Sequence, residues 1–467
     1  MIQQNAVIIN YDRIKLSHES NSIIENSPTF DNLKLPINST IGYSQALSQF
    51  RITRHEHSIH SAKQAHLLKN AELTPYELKC LEVALLLHDL GHTLGSHSID
   101  KLYYSMADSP HLTEFGYSEH DYHEYHTVQL LQSQEFLDIF RHNLTLLSDV
   151  IAILSHDDTR PFNIKCPNIR GASLSQKQIK MLYDLKDWLD RISYLELEYL
   201  ASGSTDKIIN SALVQLQQFR ATIEIHDKQM VFRSGSCAQN IILLRERLFE
   251  ETVYHPLAQA YDEYIKRNIT ESCHTYDQLK TAALTSPEDL FSPELYQVLI
   301  RNSTRCLTEE LTPLLTLDSY FLTDIGINAF AEYSNNKYQC FTRSVLKRPF
   351  SASFGELIIN LCANERLDRD IYTIHTKKPH REFNYLMIQD NKIVPERKTV
   401  NVTPNQPVII AIRNPTSEAE VQTLKSKIER EFVKRQWVRP DLNFDALYDR
   451  NIFKQRAGTI LARHYTL

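Results

Sequence analysis

The 467-residue chain carries 51 Lys and Arg against 57 Asp and Glu, a formal net charge of −6, which argues against a surface built for non-specific nucleic-acid binding. Its length is ample for a buried core, and with only 10 Gly and 17 Pro it suits a mainly helical protein of two to three domains. Seven scattered cysteines without C-x-x-C spacing fit reduced thiols in the cytoplasm, and the absence of a signal-peptide pattern after Met1 or of an apolar run of about 18 residues makes export and membrane insertion unexpected.

Residues 6–16 read as short extended segments, followed by a helix near Ser20–Glu25. From Ser48 to about Asn70 the pattern is helical, with Ile59, Ala62, Ala65 and Leu68 on one face. His57 and His60 lie three apart on roughly one side of it, and periodicity does not choose between them. Thr74 and Glu77 form a T-x-x-E capping box with Pro75 at the first helical position, so a helix starts there. Its apolar residues Leu78, Leu81 and Leu85 lead into His88-Asp89. A carboxylate in so apolar a setting calls for a partner or a metal. Gly91 is expected to stop the helix as its C-cap. With His92 and His97, three His and one Asp stand within ten positions.

The stretch 105–123 is polar and aromatic and reads as a loop. Helices are expected at Tyr122–Leu131, Gln134–Phe140 and Asn143–Ser155, then irregular chain over 157–175. A long helix over Gln176–Ala201 carries Leu182, Leu185, Trp188, Leu189, Ile192 and Leu195, with Asp190 beside that apolar face. Ala221–Ile225 and Met230–Phe232, split by Asp227-Lys228, read as a hairpin, followed by helical pattern from Ala238 to Arg267. Beyond residue 350, strands are expected at Tyr385–Ile388, Lys398–Val400 and Val408–Ile412, and a charged amphipathic helix at Ser417–Gln436. The expected organisation is an N-terminal extended segment over 1–45, a helical domain over 46–349 and a C-terminal α+β domain over 350–467.

Several short patterns recur along this frame: Arg54-His55-Glu56-His57-Ser58, His88-Asp89-Leu90-Gly91-His92 with Ser96-His97, His123-Glu124, and Asp190-Arg191-Ile192-Ser193-Tyr194. Together they resemble the HD-domain phosphohydrolases, and in R-x-E-H-S, H-D-x-G-H, H-E and D-[KR]-x-x-Y they are similar to the deoxynucleoside triphosphate triphosphohydrolases, the sterile-alpha-motif/HD-domain and dGTPase-like enzymes among them. The resemblance implies a helical HD phosphohydrolase core whose metal ligands are His57, His88, Asp89 and Asp190. Two imidazoles and two carboxylates suit Mn, Fe, Zn, Ni or Mg with positions left open for water. It further implies that Arg54, Arg191 and Arg245 hold phosphates, that His92, His97 and His123 line the pocket, and that His123, beside Glu124, is the general acid. Tyr194 would lie against the sugar, and Asn38 stands where the family has a substrate-contacting Gln.

The implied reaction is hydrolysis of a dNTP to deoxynucleoside and inorganic triphosphate by metal-activated water at the α-phosphorus. The implied partners are a nucleoside triphosphate substrate, a nucleotide activator and further copies of the chain, as a homo-oligomer up to a tetramer. Two departures bear on nucleotide preference. Thr93-Leu94-Gly95-Ser96-His97 replaces the family's G-P-F-S-H, and at the offsets after Arg245 where the family has [HY], Tyr and His this chain has Phe249, Val253 and His255, so that the first two polar residues are lost. Two other readings keep the pocket: another HD phosphohydrolase, acting on a nucleotide monophosphate or phosphodiester, and a non-catalytic nucleotide-binding regulator.

Overall fold

The computed structural model describes residues 11–34, 52–92, 100, 122–156, 171–201, 207–251, 275, 277–279, 311–317, 371–375, 381–400, 408–413, 417–438 and 442. The described chain is mostly helical. Helices α1 (His18–Asn26), α2 (Pro28–Asp31), α3 (Arg54–Gln64), α4 (Pro75–Leu87), α5 (Tyr122–Leu131), α6 (Gln134–Ile139), α7 (Leu144–Leu154), α8 (Gln176–Ala201) and α9 (Lys207–Arg220) precede a hairpin of β1 (Ile223–His226) and β2 (Gln229–Phe232). Helix α10 (Gly235–Glu251) follows, and the helical pattern expected beyond it lies outside the described residues. Where short extended segments were expected, Tyr11–Arg13 forms a 3-10 turn.

Helix α4 is the centre of the core. The Thr74 hydroxyl accepts from the Glu77 backbone N–H, and the Glu77 carboxylate accepts from the Thr74 backbone N–H, with Pro75 at the first position. From Cys80 to Leu87 every residue is buried, and a helix apolar all round belongs inside a bundle. It packs against α3, α7 and α8, and each buried Leu contributes roughly 1.5–3 kcal/mol. The Glu77 carboxylate also accepts from Lys228 Nζ at 2.7 Å and Gln178 Nε2 at 2.9 Å. Burial alone would raise its pKa, but these bonds and those from Thr74 hold it at about 2. Lys228 sits in the β1–β2 turn, where Asp227 and Lys228 both have positive φ, as a two-residue I′ turn requires.

Gly91 departs from its expected role. The helix ends at Leu87, and the backbone at Gly91 is not left-handed. Gly91 instead lets the turn lie directly on α5: a Cβ there would strike the His123 carbonyl oxygen and the Thr127 backbone nitrogen. The Gly91 N–H donates to Thr127 Oγ1 at 2.8 Å, and its carbonyl lies 3.0 Å from His126 Nδ1.

Strands β3 (Leu311–Leu317), β4 (Ile371–His375), β5 (Arg381–Gln389), β6 (Lys392–Val400) and β7 (Val408–Arg413) and helix α11 (Glu418–Lys434) complete the described elements. One sheet has the order β1-β2-β5-β6, and a second β3-β7-β4. Strand β5 pairs with β2 at Phe232↔Met387, so the first sheet joins segments from both sides of residue 350. Trp188 of α8 packs edge-on against Phe232 and Tyr385, seating this sheet on the helical core. Among the described residues no helix is long and apolar enough to cross a membrane.

Candidate metal centre

Three helices supply the centre. Thr53 caps α3 through a second capping box, in which Glu56 returns a bond to the Thr53 N–H at 2.8 Å. This places Arg54 and His57 in the first turn of α3. His88 and Asp89 come off the end of α4, and Asp190 comes from the middle of α8. His57 Nε2 lies 2.8 Å from Asp190 Oδ1 and 3.2 Å from His88 Nε2, and His88 Nε2 lies 3.1 Å from Asp190 Oδ1. Asp89 Oδ2 is 3.6 Å from His57 Nε2 and 3.5 Å from His88 Nε2.

These separations fit one ion. Donors about 2.1 Å from a common cation stand roughly 3.0–3.4 Å apart in octahedral or tetrahedral positions. Two imidazole nitrogens facing each other at 3.2 Å need a proton or a cation between them. His88 Nδ1 lies 2.8 Å from the Leu85 carbonyl and so carries its proton there, which leaves Nε2 as a donor atom. His57, His88 and Asp89 have ligand atoms within 4.8 Å of one another. All four ligands implied by the sequence resemblance are thus brought together.

Electrostatics agree with that chemistry. Burial would raise the Asp89 carboxyl, but the Arg54 guanidinium, His88 and His92 hold it well below the usual carboxylate range. Asp190 is also held down, against burial, by His88 and His57. The His88 imidazole is lowered by burial and more than restored by Asp89 and Asp190. Arg54 Nη1 binds Asp89 Oδ2 at 2.6 Å, with Arg54 only 3% exposed.

A second group adjoins the first. His92 Nε2 lies 3.4 Å from Asp89 Oδ1, and the His92 ring stacks on His123 with centroids 3.9 Å apart. His123 Nδ1 lies 3.1 Å from Asp100 Oδ2. Burial, Arg54 and His123 keep His92 neutral well below its usual range. For His123 burial acts the same way, but Asp100 and then Glu124 outweigh it and raise the imidazole. Glu124 follows His123 on α5 and bears on it through charge.

Three further expected residues, Tyr194, Arg245 and Arg191, are placed by the structure. Tyr194, one turn beyond Asp190, lies 6.5 Å from His57 between ring centroids and accepts from Arg245 Nε at 2.8 Å. Arg245 also pairs with Glu246 and lies over Phe249. Arg191 pairs with Asp187 at 2.6 Å and lies over Trp188 and Phe383. Asn38 and His97 lie outside the described residues.

Sequence reasoning missed three residues here. Nothing local distinguishes Asp100 within Ser98-Ile99-Asp100-Lys101. Ser193 fills an unspecified position of the D-[KR]-x-x-Y pattern. Lys186, one turn before Asp190, is only 8% exposed. Its Nζ lies 4.7 Å from the Tyr183 ring centroid. Its charge bears on His88, while Asp187, Glu124 and Asp190 bear on it. A lysine at an i−4 offset from the expected carboxylate was the available signal.

Residues 54–187 match the family model of the HD domain. That span includes His57, His88, Asp89, His123 and Glu124 and ends three residues before Asp190. No curated protein matches the chain. Among the solved structures that share its fold are two whose similarity extends over most of the chain. One is a hypothetical protein from Aquifex aeolicus, 13% identical with a TM-score of 0.54, over 89% of this chain and 96% of the other. The second is a phosphohydrolase from Bacteroides thetaiotaomicron VPI-5482, 14% identical with a TM-score of 0.51, over 86% and 97%.

Proposed function

We propose that this chain is a metal-dependent phosphohydrolase that cleaves deoxynucleoside triphosphates to deoxynucleoside and inorganic triphosphate. The observation that carries hydrolysis is the convergence of His57, His88, Asp89 and Asp190 beside a His123 imidazole made more basic by Asp100. The dNTP substrate is supported by the R-x-E-H-S, H-D-x-G-H, H-E and D-[KR]-x-x-Y patterns and by the positions of Arg54 on Asp89 and of Arg245 on Tyr194. A divalent cation in this donor set would supply an acidified water and neutralise a phosphoryl oxygen.

The protein's own part follows from where its groups stand. Arg54 fixes the Asp89 carboxylate, so that its Oδ2 faces His57 and His88. Tyr194 holds the Arg245 guanidinium by its Nε, presenting a planar cation suited to a phosphate. Asp100 binds His123 at Nδ1, which makes Nε2 the atom that delivers a proton to the departing 5′-oxygen. Such a positioned acid contributes about 10²–10⁴-fold in rate.

The test is a product analysis. The protein, loaded with manganese or magnesium, is incubated with a panel of dNTPs and NTPs in oxygen-18 water. Deoxynucleoside with label confined to triphosphate is expected. Pyrophosphate or orthophosphate as the first product would overturn the triphosphohydrolase reading, and no turnover of any triphosphate would overturn the nucleoside triphosphate as substrate.

A further inference from the structure

On the Nδ1 side of His57 lies a buried polar chain that the proposed reaction does not use. His57 Nδ1 is 3.2 Å from Ser193 Oγ. Ser193 Oγ is 2.8 Å from His60 Nδ1, and His60 Nε2 is 3.7 Å from Glu196 Oε2. Ser193 is fully buried, Glu196 is 3% and His60 7% exposed, so water does not set these protons. Glu196 is in turn held by Arg220, by the Tyr11 hydroxyl and by Gln64 Nε2 at 2.9 Å.

The chain can run in two polarities: in one the Ser193 proton is free to go to His57 Nδ1, and in the other it is committed to His60 and Ser193 accepts from His57. A serine hydroxyl has one proton to give. If His60 carries its proton on Nδ1 and donates to Ser193, the Ser193 proton is free to go to His57 Nδ1, which would put the His57 proton on Nε2, the atom facing Asp190 and His88. If His60 carries its proton on Nε2, its Nδ1 accepts from Ser193, whose oxygen accepts from His57 Nδ1–H, and His57 Nε2 keeps its lone pair. Two features select the second polarity. The Glu196 carboxylate faces His60 Nε2 and attracts a proton there, at a distance where the effect is Coulombic. The Gln64 Nε2 group, a donor only, lies 3.3 Å from His60 Nδ1 and favours a lone pair on it. Ser61 Oγ stands 3.4 Å from His57 Nδ1 and 3.5 Å from Nε2, so it does not discriminate between them.

We propose that Ser193 and His60 are positioning residues that fix the Nδ1–H tautomer of His57, holding Nε2 ready as a metal donor. The inference rests on the metal-binding reading of the four donors and is independent of the substrate. Burial, followed by the charges of His57, Arg220 and Lys63, keeps His60 neutral, as an imidazole that both donates and accepts must be.

The test reads the metal and the proton separately. Cobalt(II) affinity is measured by chelator competition for the wild type, Ser193→Ala, His60→Leu and His60→Asn, the last retaining an acceptor oxygen near the Nδ1 position. Nitrogen-15 chemical shifts of labelled histidines report the His57 tautomer in the metal-free protein. Ser193→Ala and His60→Leu are expected to bind cobalt about 10–100-fold more weakly, and His60→Asn to recover most of that loss. Wild-type affinity in Ser193→Ala overturns the proposal, as does equal weakening in His60→Leu and His60→Asn, which would indicate packing alone. A wild-type protein that takes up no cobalt removes the metal reading, and the tautomer then decides the relay: a proton on His57 Nε2 overturns it, and one on Nδ1 upholds it.

Discussion

Gly91→Ala tests whether the seating of the α4 turn on α5 sets the geometry of the centre. The added methyl would overlap the His123 carbonyl and the Thr127 backbone nitrogen, neither of which is a flexible side-chain end. Overpacking of this kind costs about 1–3 kcal/mol. Separating the turn from the helix also loses the Gly91 N–H bond to Thr127 and the His126 bond to the Gly91 carbonyl. With each bond contributing about 0.5–1.5 kcal/mol, the expected destabilisation is about 2–6 kcal/mol, a large share of a typical domain's stability. The same displacement moves His123 away from Asp89, and a shift near 1 Å can cost about 10²-fold in rate. Urea unfolding and single-turnover hydrolysis read the two effects. Gly171→Ala is the control: a Cβ there meets nothing within 4 Å, and the change should be neutral or stabilising by about 0.4–1 kcal/mol. Wild-type stability and turnover in Gly91→Ala would refute the reasoning.

Elemental analysis should find about one divalent metal per wild-type chain and little in a His88→Ala, Asp89→Ala double variant, and equal content would remove the proposed centre. Asp100→Asn takes away the charge that raises the His123 imidazole, so the alkaline limb of the rate profile, where His123 loses its proton, should move to lower pH; an unmoved limb would exclude His123 as the acid. Glu77→Gln should destabilise the fold at neutral pH. The pKa of Glu77 is depressed from 4.5 to about 2, so its contribution is present above about pH 4.5 and fades as pH falls through about 2, and the urea midpoints of wild type and variant should converge over that range. Lys186→Gln should raise KM for a triphosphate about tenfold with metal content unchanged, since an ammonium whose charge reaches His88 also attracts a phosphate at the centre; an unchanged KM would place Lys186 outside the substrate site.

Much of the centre was legible because its chemistry is expensive to bury. His88-Asp89 at the end of an apolar helix and Asp190 beside an apolar stripe both violate burial preferences, and such violations need partners. The Thr74–Glu77 box and the Asp227-Lys228 turn were equally readable, because caps and I′ turns are local chemistry. What escaped depends on groups distant in sequence. No local pattern told His57 from His60, and the structure uses both, at opposite ends of Ser193. Gly91 was read as a helix stop because a glycine after an apolar run commonly is one, whereas its lack of a side chain matters only once α5 is laid across it. Asp100 is separated by 23 positions from the histidine it supports, and nothing in its own neighbourhood reports that pairing.

Helix α8 shows how core and centre are coupled. Leu182, Leu185, Leu189, Ile192 and Leu195 are fully buried, and this stripe fixes the rotation of the helix about its axis. Asp190, Ser193 and Tyr194 follow at i, i+3 and i+4, the offsets that share one helical face, and Glu196 lies three residues beyond Ser193. One rotational setting therefore aims a donor at His57 and His88, a hydroxyl at the far side of His57, a phenol at Arg245 and a carboxylate at His60. A shift of one residue turns the helix by about 100° and would remove all four contacts together. The apolar spacing that makes α8 part of the core thus also sets the metal geometry, so substitutions in that stripe should disturb metal binding without touching a ligand.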